Sequence, residues 1–378
     1  MQKQYDYIIQ GAGASGLWLA YWMQELGLLK SHHLLVIEGI ETKGNDRTWC
    51  FWTPENVKEF PFVNRHWSSL MIRGNAQRID PFQYCHARSE SFYGWVKAKL
   101  AGNAHVHWSS EWVRAATQEG SQVSVVTDAC RYQSQYFFRS GQMDEGQENT
   151  TIALWQSFVG WRIKFRQGGW DDGAATLMDF SIPQAGTTRF LYVLPISETE
   201  GLVEVTQFHS KKLARSEGEA ILEHVCAERN WAYDVEEVEC DAIPMSSFFN
   251  QKQSHNTSGN RIISIGVYAG ALKPTTGYGF LAMREHGRSL ALALQQKQLL
   301  PKIFRKARFR FYDALLLQML THTPYRGKAI FERLFSKQPA HRVLKFLDEK
   351  TSIWEEIRIF SRLQVSWFLK ALVTHVRS

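Results

Sequence analysis

Residues Tyr7 to Leu17 read Tyr-Ile-Ile-Gln-Gly-Ala-Gly-Ala-Ser-Gly-Leu. The short apolar run Tyr7-Ile8-Ile9 leads into Gly11, Gly13 and Gly16 at GxGxxG spacing, and a helical pattern through Leu17, Ala20 and Leu26 follows. A second apolar run, Leu34-Leu35-Val36-Ile37, ends at Glu38. Strand, glycine turn, helix and strand in that order open a βαβ unit. Such a turn needs glycine for a tight bend, for close approach of backbone to a pyrophosphate, and for tight packing of helix on strand. The pyrophosphate rests on the helix N-terminus, where free N–H groups and the helix dipole favour an anion. Glu38 lies 22 residues beyond Gly16, where an acid accepts hydrogen bonds from a ribose. Gly11, Gly13, Ala14, Gly16 and Glu38 are therefore candidate dinucleotide-binding residues. A plain glycine turn with a surface glutamate is the other reading. The position of the motif, ahead of a long chain, favours FAD over NAD. There is no second fingerprint, so a pyridine nucleotide would bind transiently or not at all.

Working outward, the 378 residues are 44% hydrophobic and 21% charged, which excludes wholesale disorder. Two or three domains or subdomains fit this length. No apolar run approaches the roughly 18–20 residues of a spanning helix. Asp6 and the early Gly11 leave no room for a signal peptide. Cys50, Cys85, Cys130, Cys226 and Cys240 show no CxxC spacing, which argues for a reducing cytoplasm and against a disulfide framework or a zinc site. Thirteen histidines include no HExxH, and neither a GxSxG elbow nor a phosphate-binding GxxxxGK[ST] loop occurs. The division expected is a βαβ unit over 1–72, a helical segment and a β-meander over 73–150, a substrate-binding sheet over 151–245, a return to the first domain over 246–295, and a helical basic region over 296–378. Within it, 104–140 reads as the meander and 141–150 as an exposed loop.

The formal net charge of +7 belongs to the tail: residues 301–378 hold 16 Lys and Arg against 6 Asp and Glu. Ile353, Ile357, Phe360 and Trp367 recur there at helical spacing, with Arg358, Arg362 and Lys370 between them. Such a stripe either closes a core or lies in the interface plane of an anionic membrane. No RNA-binding signature is present, so nucleic acid is the weaker partner.

Asn45-Asp46-Arg47-Thr48-Trp49-Cys50-Phe51-Trp52 resembles the signature loop of the lycopene cyclases, the bacterial lycopene β-cyclase type in particular. Further segments follow that family's order: Met178-Asp179-Phe180, Arg189 to Pro195, Leu202-Val203-Glu204-Val205-Thr206, Ile243-Pro244-Met245, Ala269 to Tyr278, Phe309 to Asp313 and Ile330 to Phe335. The resemblance covers residues 5–365. It implies an α/β fold like the hydroxylase and geranylgeranyl-reductase flavoproteins: a Rossmann-like FAD domain, an inserted β-sheet substrate domain and a helical C-terminal region. It implies FAD acting in its reduced form, NAD(P)H as external reductant, and cyclisation of lycopene through γ-carotene to β-carotene without net redox change. The enzyme would be peripheral on the inner face of the cell membrane. Departures from the pattern are Val205, where relatives often carry Asp, Arg139-Ser140 at the end of the meander, and Val267 after Gly266.

That reaction needs a carboxyl kept protonated near neutral pH, and an apolar pocket does this. In a strand, Glu204 shares a face with Leu202, Thr206 and Phe208, while Val203 and Val205 face away. Its family counterpart is the acidic residue implicated in catalysis, so Glu204 is the candidate acid/base; a solvent-facing glutamate on an edge strand is the alternative. The cation formed needs aromatic faces, and 14 Trp and 23 Phe are available. Gly270, Thr275, Thr276 and Gly277 are expected in a turn near the isoalloxazine, with a helix from about Phe280 offering its N-terminus, or else in an ordinary Pro-Thr-Thr-Gly turn; Gly266 stands where related flavoproteins hold the ribityl chain with a Gly-Asp pair. Arg47 is a candidate flavin or pyrophosphate contact, or else a structural ion pair. The rival functions are a redox flavoenzyme of the same fold (a monooxygenase or polyprenyl reductase), a polyene carrier, and an ε- or monocyclising enzyme.

Overall fold

A computed structural model describes residues 3–40, 44–141, 154–246 and 259–363. The loop expected at 141–150 lies outside these residues apart from Gly141, as do Trp367 and Lys370. In chain order come Lys3–Gln10 (β1), Ala14–Glu25 (α1), Leu34–Ile37 (β2), Thr48–Thr53 (β3), Arg65–Trp67 (β4), Ser69–Ile72 (β5), Asn75–Arg78 (β6), Gln83–Arg88 (β7) and Ser89–Leu100 (α2). Then follow Val106–Ser109 (β8), Val113–Glu119 (β9), Gln122–Thr127 (β10), Arg131–Arg139 (β11), Leu154–Phe165 (β12), Ala175–Asp179 (β13), Thr188–Pro195 (β14) and Glu200–His209 (β15). The rest are Arg215–Glu228 (α3), Tyr233–Met245 (β16), Ile262–Ser264 (β17), Phe280–Gln295 (α4), Ala307–His322 (α5), Gly327–Ser336 (α6), Ala340–Leu347 (α7) and Ile353–Phe360 (α8).

The first sheet runs β8-β2-β1-β11-β10-β9, with β17 also beside β11. Pairing from β8 through β2 and β1 to β11 is parallel. The apolar run of β1 is explained by its two buried faces: Tyr7 and Ile9 enter one core, Ile8 another. The meander expected at 104–140 holds for β9, β10 and β11. The strand β8 leaves it and pairs with β2, because it follows α2 and a strand returning from a helix runs parallel. Helix α1 packs against α4 at Gly287, where an added β-carbon would lie 3.0 Å from the Leu19 backbone nitrogen.

The second sheet runs β16-β12-β15-β14-β13-β5-β6. The strands β5 and β6 straddle the boundary expected at residue 72 and belong to this sheet, through parallel pairing of Leu70 with Ala175. Its two faces follow the alternation read from sequence. Val159, Leu191, Val203 and Val205 meet Leu222 and Val225 of α3. Leu202 and Phe208 face the other way, into a core shared with α5, α6, α7 and α8. A small sheet, β3-β7-β4, joins the two larger ones.

The stripe expected in the tail divides. Ile353 and Ile357 are exposed, whereas Phe360 packs edge-on against Tyr312 and Ile359 is fully buried. On so short a helix, positions 356, 359 and 360 form the inward face, and 353 and 357 lie outside it.

Candidate functional site

A cavity of about 740 Å3 lies between the two large sheets. At one end it meets the N-terminus of α1. Gly13, Ala14 and Ser15 line it there, and Gly13 caps the helix with no side-chain hydrogen bond to the first N–H groups. Those donors are available to an anion. A β-carbon on Gly13 would meet nothing within 4 Å, so a ligand can approach the backbone. Gly11 and Gly16 stand behind this wall. A β-carbon on Gly16 would come within 2.0 Å of the Gly11 carbonyl oxygen, and one on Gly11, whose φ is +91°, within 2.2 Å of Ser140 Oγ. Glu38 closes the turn: its Oε2 accepts the Ala12 N–H at 2.9 Å and its Oε1 the Ile40 N–H at 3.2 Å. It is not among the residues that line the cavity.

The middle of the cavity is walled by Gly266, Val267, Thr276, Gly277 and Phe280. Gly266 and Gly277 both have positive φ, +67° and +70°, and so allow the loop to fold close to the site. Thr276 Oγ1 and Gln156 Oε1 are buried on this wall without hydrogen-bond partners. Both atoms are open to a polar partner from the cavity. Thr275 and Gly270, also expected near the isoalloxazine, are not among the residues that line the cavity. Thr275 Oγ1 donates to Asp313 Oδ1 at 2.7 Å. Lys273 Nζ reaches Asp313 at 3.0 Å and Glu349 at 3.1 Å, and Arg305 pairs with both carboxylates. The loop is thus clamped to the C-terminal helical region by a buried ionic cluster.

At the far end, one row of residues crosses the second sheet: Glu239 on β16, Gly160 on β12, Glu204 on β15 and Tyr192 on β14. Direct cross-strand neighbours share a face. Glu204 lines the cavity, and Thr206 Oγ1 donates to its Oε1 at 2.8 Å. Burial pushes the Glu204 carboxyl well above the usual range, and the charge of Glu239 adds to this. Tyr84, Tyr192 and Tyr278 stand around it, and the hydroxyls of Tyr84 and Tyr278 are 3.1 Å apart.

The stretch 45–52, which runs into β3 at Thr48, joins these ends. Thr48 Oγ1 donates to Glu239 Oε2 at 2.8 Å. Trp49 stacks on Phe280, and Trp52 lies edge-on to Tyr278. Arg47 lines the cavity and forms an ion pair with Asp241 at 2.5 Å. Sequence reasoning missed Glu239 and Gln156. Glu239 sits in the acid-rich stretch Asp234-Val235-Glu236-Glu237-Val238-Glu239, which reads as a solvated edge. Only its strand alternation with the half-buried Asp241 and Ile243 set it apart.

The sequence model of the family described as "Lycopene cyclase protein" matches residues 6–372. The lycopene beta-cyclase of Pantoea ananas is 23% identical over 392 residues, covering 96% of this chain and 95% of that protein. Among solved structures, the fold is similar to a flavoprotein/dehydrogenase of Cytophaga hutchinsonii, with a TM-score of 0.60, 11% identity, and coverage of 99% of this chain and 100% of the other. A geranylgeranyl bacteriochlorophyll reductase-like protein of Thermoplasma acidophilum gives 0.58 at 12% identity, covering 98% and 96%. These structures share the flavoprotein fold expected from sequence.

Proposed function

The chain belongs to the lycopene cyclase family, and on that premise we propose that it cyclises the acyclic ends of lycopene to β-rings, through γ-carotene to β-carotene, without net redox change. The observation that carries this reading is Glu204, a carboxyl on the cavity wall with a strongly raised pKa. Among the described residues, no lysine, arginine or histidine pairs with it. An acid in that setting keeps its proton near neutral pH and releases it to a terminal double bond. The faces of Tyr84, Tyr192 and Tyr278 can stabilise the tertiary cation through their ring quadrupoles. After ring closure the proton lost from the ring returns to the Glu204 carboxylate.

FAD suits the rest of the cavity. Gly13 and Ala14 would receive the pyrophosphate, Glu38 would stay behind the turn, and Gly266, Thr276 and Gly277 would border the ring system, where the orphaned Thr276 and Gln156 oxygens await polar partners. When bound and reduced, at the expense of NAD(P)H, FAD supplies negative charge beside the cation.

Lycopene dissolves in bilayers, so the enzyme must dock on one. Leu299, Phe304, Ile353, Trp354 and Ile357 are exposed in the C-terminal region, and Lys302, Lys306 and Arg358 are exposed among them. Apolar side chains flanked by cations suit peripheral binding at the inner face of the cell membrane. No described helix is long and apolar enough to cross it.

Expression in cells that accumulate lycopene, followed by pigment chromatography, tests the reading. The chain should convert lycopene to β-carotene. Glu204→Gln should lower turnover by about 10²–10⁴-fold while FAD stays bound. Lycopene left unchanged by the wild-type chain, or NAD(P)H consumed in proportion to product, overturns the proposal.

A further inference from the structure

We propose that Glu239 shares a proton with Glu204 across the gap left by Gly160 and connects that acid to a second, polar cavity. This inference rests on the assignment of Glu204 made above.

Three observations converge. First, Glu204 and Glu239 are both direct register partners of Gly160, from the strands on either side of it. A β-carbon on Gly160 would stand 3.0 Å from Glu239 Cγ and 3.1 Å from Glu239 Oε1. With no side chain there, the Glu239 carboxyl lies over the central strand and meets Glu204. Second, each carboxyl has one oxygen held by a threonine, Thr48 on Glu239 Oε2 and Thr206 on Glu204 Oε1, both at 2.8 Å. Glu239 Oε1 is buried and receives no N–H or hydroxyl donor. Two carboxyl groups attract only when a proton lies between them, and such a proton gives this oxygen its partner. Third, Glu239 borders two cavities. Glu204 lines only the larger one, whereas Glu239 also lines a neighbouring cavity of about 460 Å3, whose walls include His86, Arg88 and Arg162.

Among the described residues, the cations nearest the pair are held by other carboxylates, and the charge of Arg88 acts on Glu239 from a distance. On the Glu204 side stand Cys50, Tyr84, Tyr192 and Tyr278, all held neutral by burial. On the Glu239 side, Arg88 is taken by Glu90 and Glu237, at 2.7 and 2.8 Å. Arg162 lies near Glu200 and Glu236, and Asp241 is paired with Arg47. Buried His86 is held down to about 4 and is neutral at neutral pH.

This arrangement holds one proton on two carboxyl groups. The pair releases that proton from Glu204: an O–H bond of Glu204 breaks, and a C–H bond forms at the terminal alkene carbon from its π electrons. The two carboxylates left behind face the cation that has formed. After ring closure a ring C–H bond breaks, its electrons form the new double bond, and the proton restores the pair. Glu239 is a positioning and relay residue, since it acts through Glu204.

The test uses the FAD-bound protein and two readouts. One is infrared titration of the carboxyl C=O band without substrate; the other is the pH profile of lycopene turnover. Removing the like charge with Glu239→Gln should lower the Glu204 titration, and with it the alkaline limb of the profile, by about one pH unit or more. Gly160→Ala should shift both in the same direction with both carboxyls present, because the new methyl pushes Glu239 aside. A residue that merely supports the fold predicts neither shift. Titration and limb unmoved in both variants overturn the inference. If the wild-type protein leaves lycopene untouched, the reading of function fails, while the infrared titration still decides whether the proton is shared.

Discussion

Two places in this molecule bury a pair of carboxyl groups, and they differ in what stands opposite. Asp313 and Glu349 face Lys273 and Arg305, so two negative charges meet two positive ones. Glu204 and Glu239 face Thr206, Thr48 and each other. In the first cluster charge is balanced by cations, and the groups serve as a clamp that holds the 273–277 loop against the C-terminal helical region. In the second, the nearest cation, Arg88, is held by Glu90 and Glu237, and burial raises both carboxyls above the usual range. The same side-chain chemistry becomes scaffold or reagent according to whether a cation is supplied.

The contrast can be broken most severely at the clamp. Asp313→Ala leaves Lys273 and Arg305 short of a partner in a buried site, and should cost about 3–5 kcal/mol in urea unfolding. A midpoint equal to wild type would show that the cluster holds nothing. A smaller effect separates the pairs by pH. A carboxyl whose folded pKa is raised binds more protons in the folded state. Its contribution is complete below the unfolded value of 4.5 and is lost as pH rises towards the folded value. Every tenfold gain in proton affinity on folding is worth about 1.4 kcal/mol. Glu204→Gln should therefore flatten the decline of unfolding midpoints on the alkaline side. His86 and His286, held down to about 4 by burial, act in the opposite sense. Their contribution is complete above 6.5 and is lost as pH falls towards 4, and the variant should leave that acid limb in place. A decline as steep in the variant as in wild type would remove Glu204 as its source. The mildest change is Thr48→Val. It takes a donor from Glu239, whose charged form that bond favours. The alkaline limb of turnover should then move up by less than about one pH unit, opposite to Glu239→Gln; a downward movement would contradict the assignment of the shared proton.

What could be read from sequence was whatever is local along the chain. The glycine turn carries its meaning in a dozen consecutive residues and joins β1 to α1 as they suggest, whereas Glu38, placed by spacing alone, binds the turn's own backbone and does not line the cavity. Glu204 was picked out by the resemblance of Leu202 to Thr206 to a family motif; strand alternation added only that Leu202 and Thr206 face away from Val203 and Val205, and both faces are buried. Glu239 was not, because its surroundings come from Gly160 and Thr48, far away in the chain. Thr275 shows the same limit from the other side. It lies in the turn that borders the cavity, yet its hydroxyl is taken by Asp313, 38 residues later. The exit of β8 from the expected meander has the same origin, since its partner β2 lies far earlier in the chain, on the other side of α2.

Gly160 works through an atom it does not have. Its place in the sheet sets the spacing of two acids that its own chemistry never touches, so proton affinity here has an adjustable width. Alanine, serine and larger residues at this one position would form a graded set of spacers, and the strength of the acid could be tuned with every reacting group left in place.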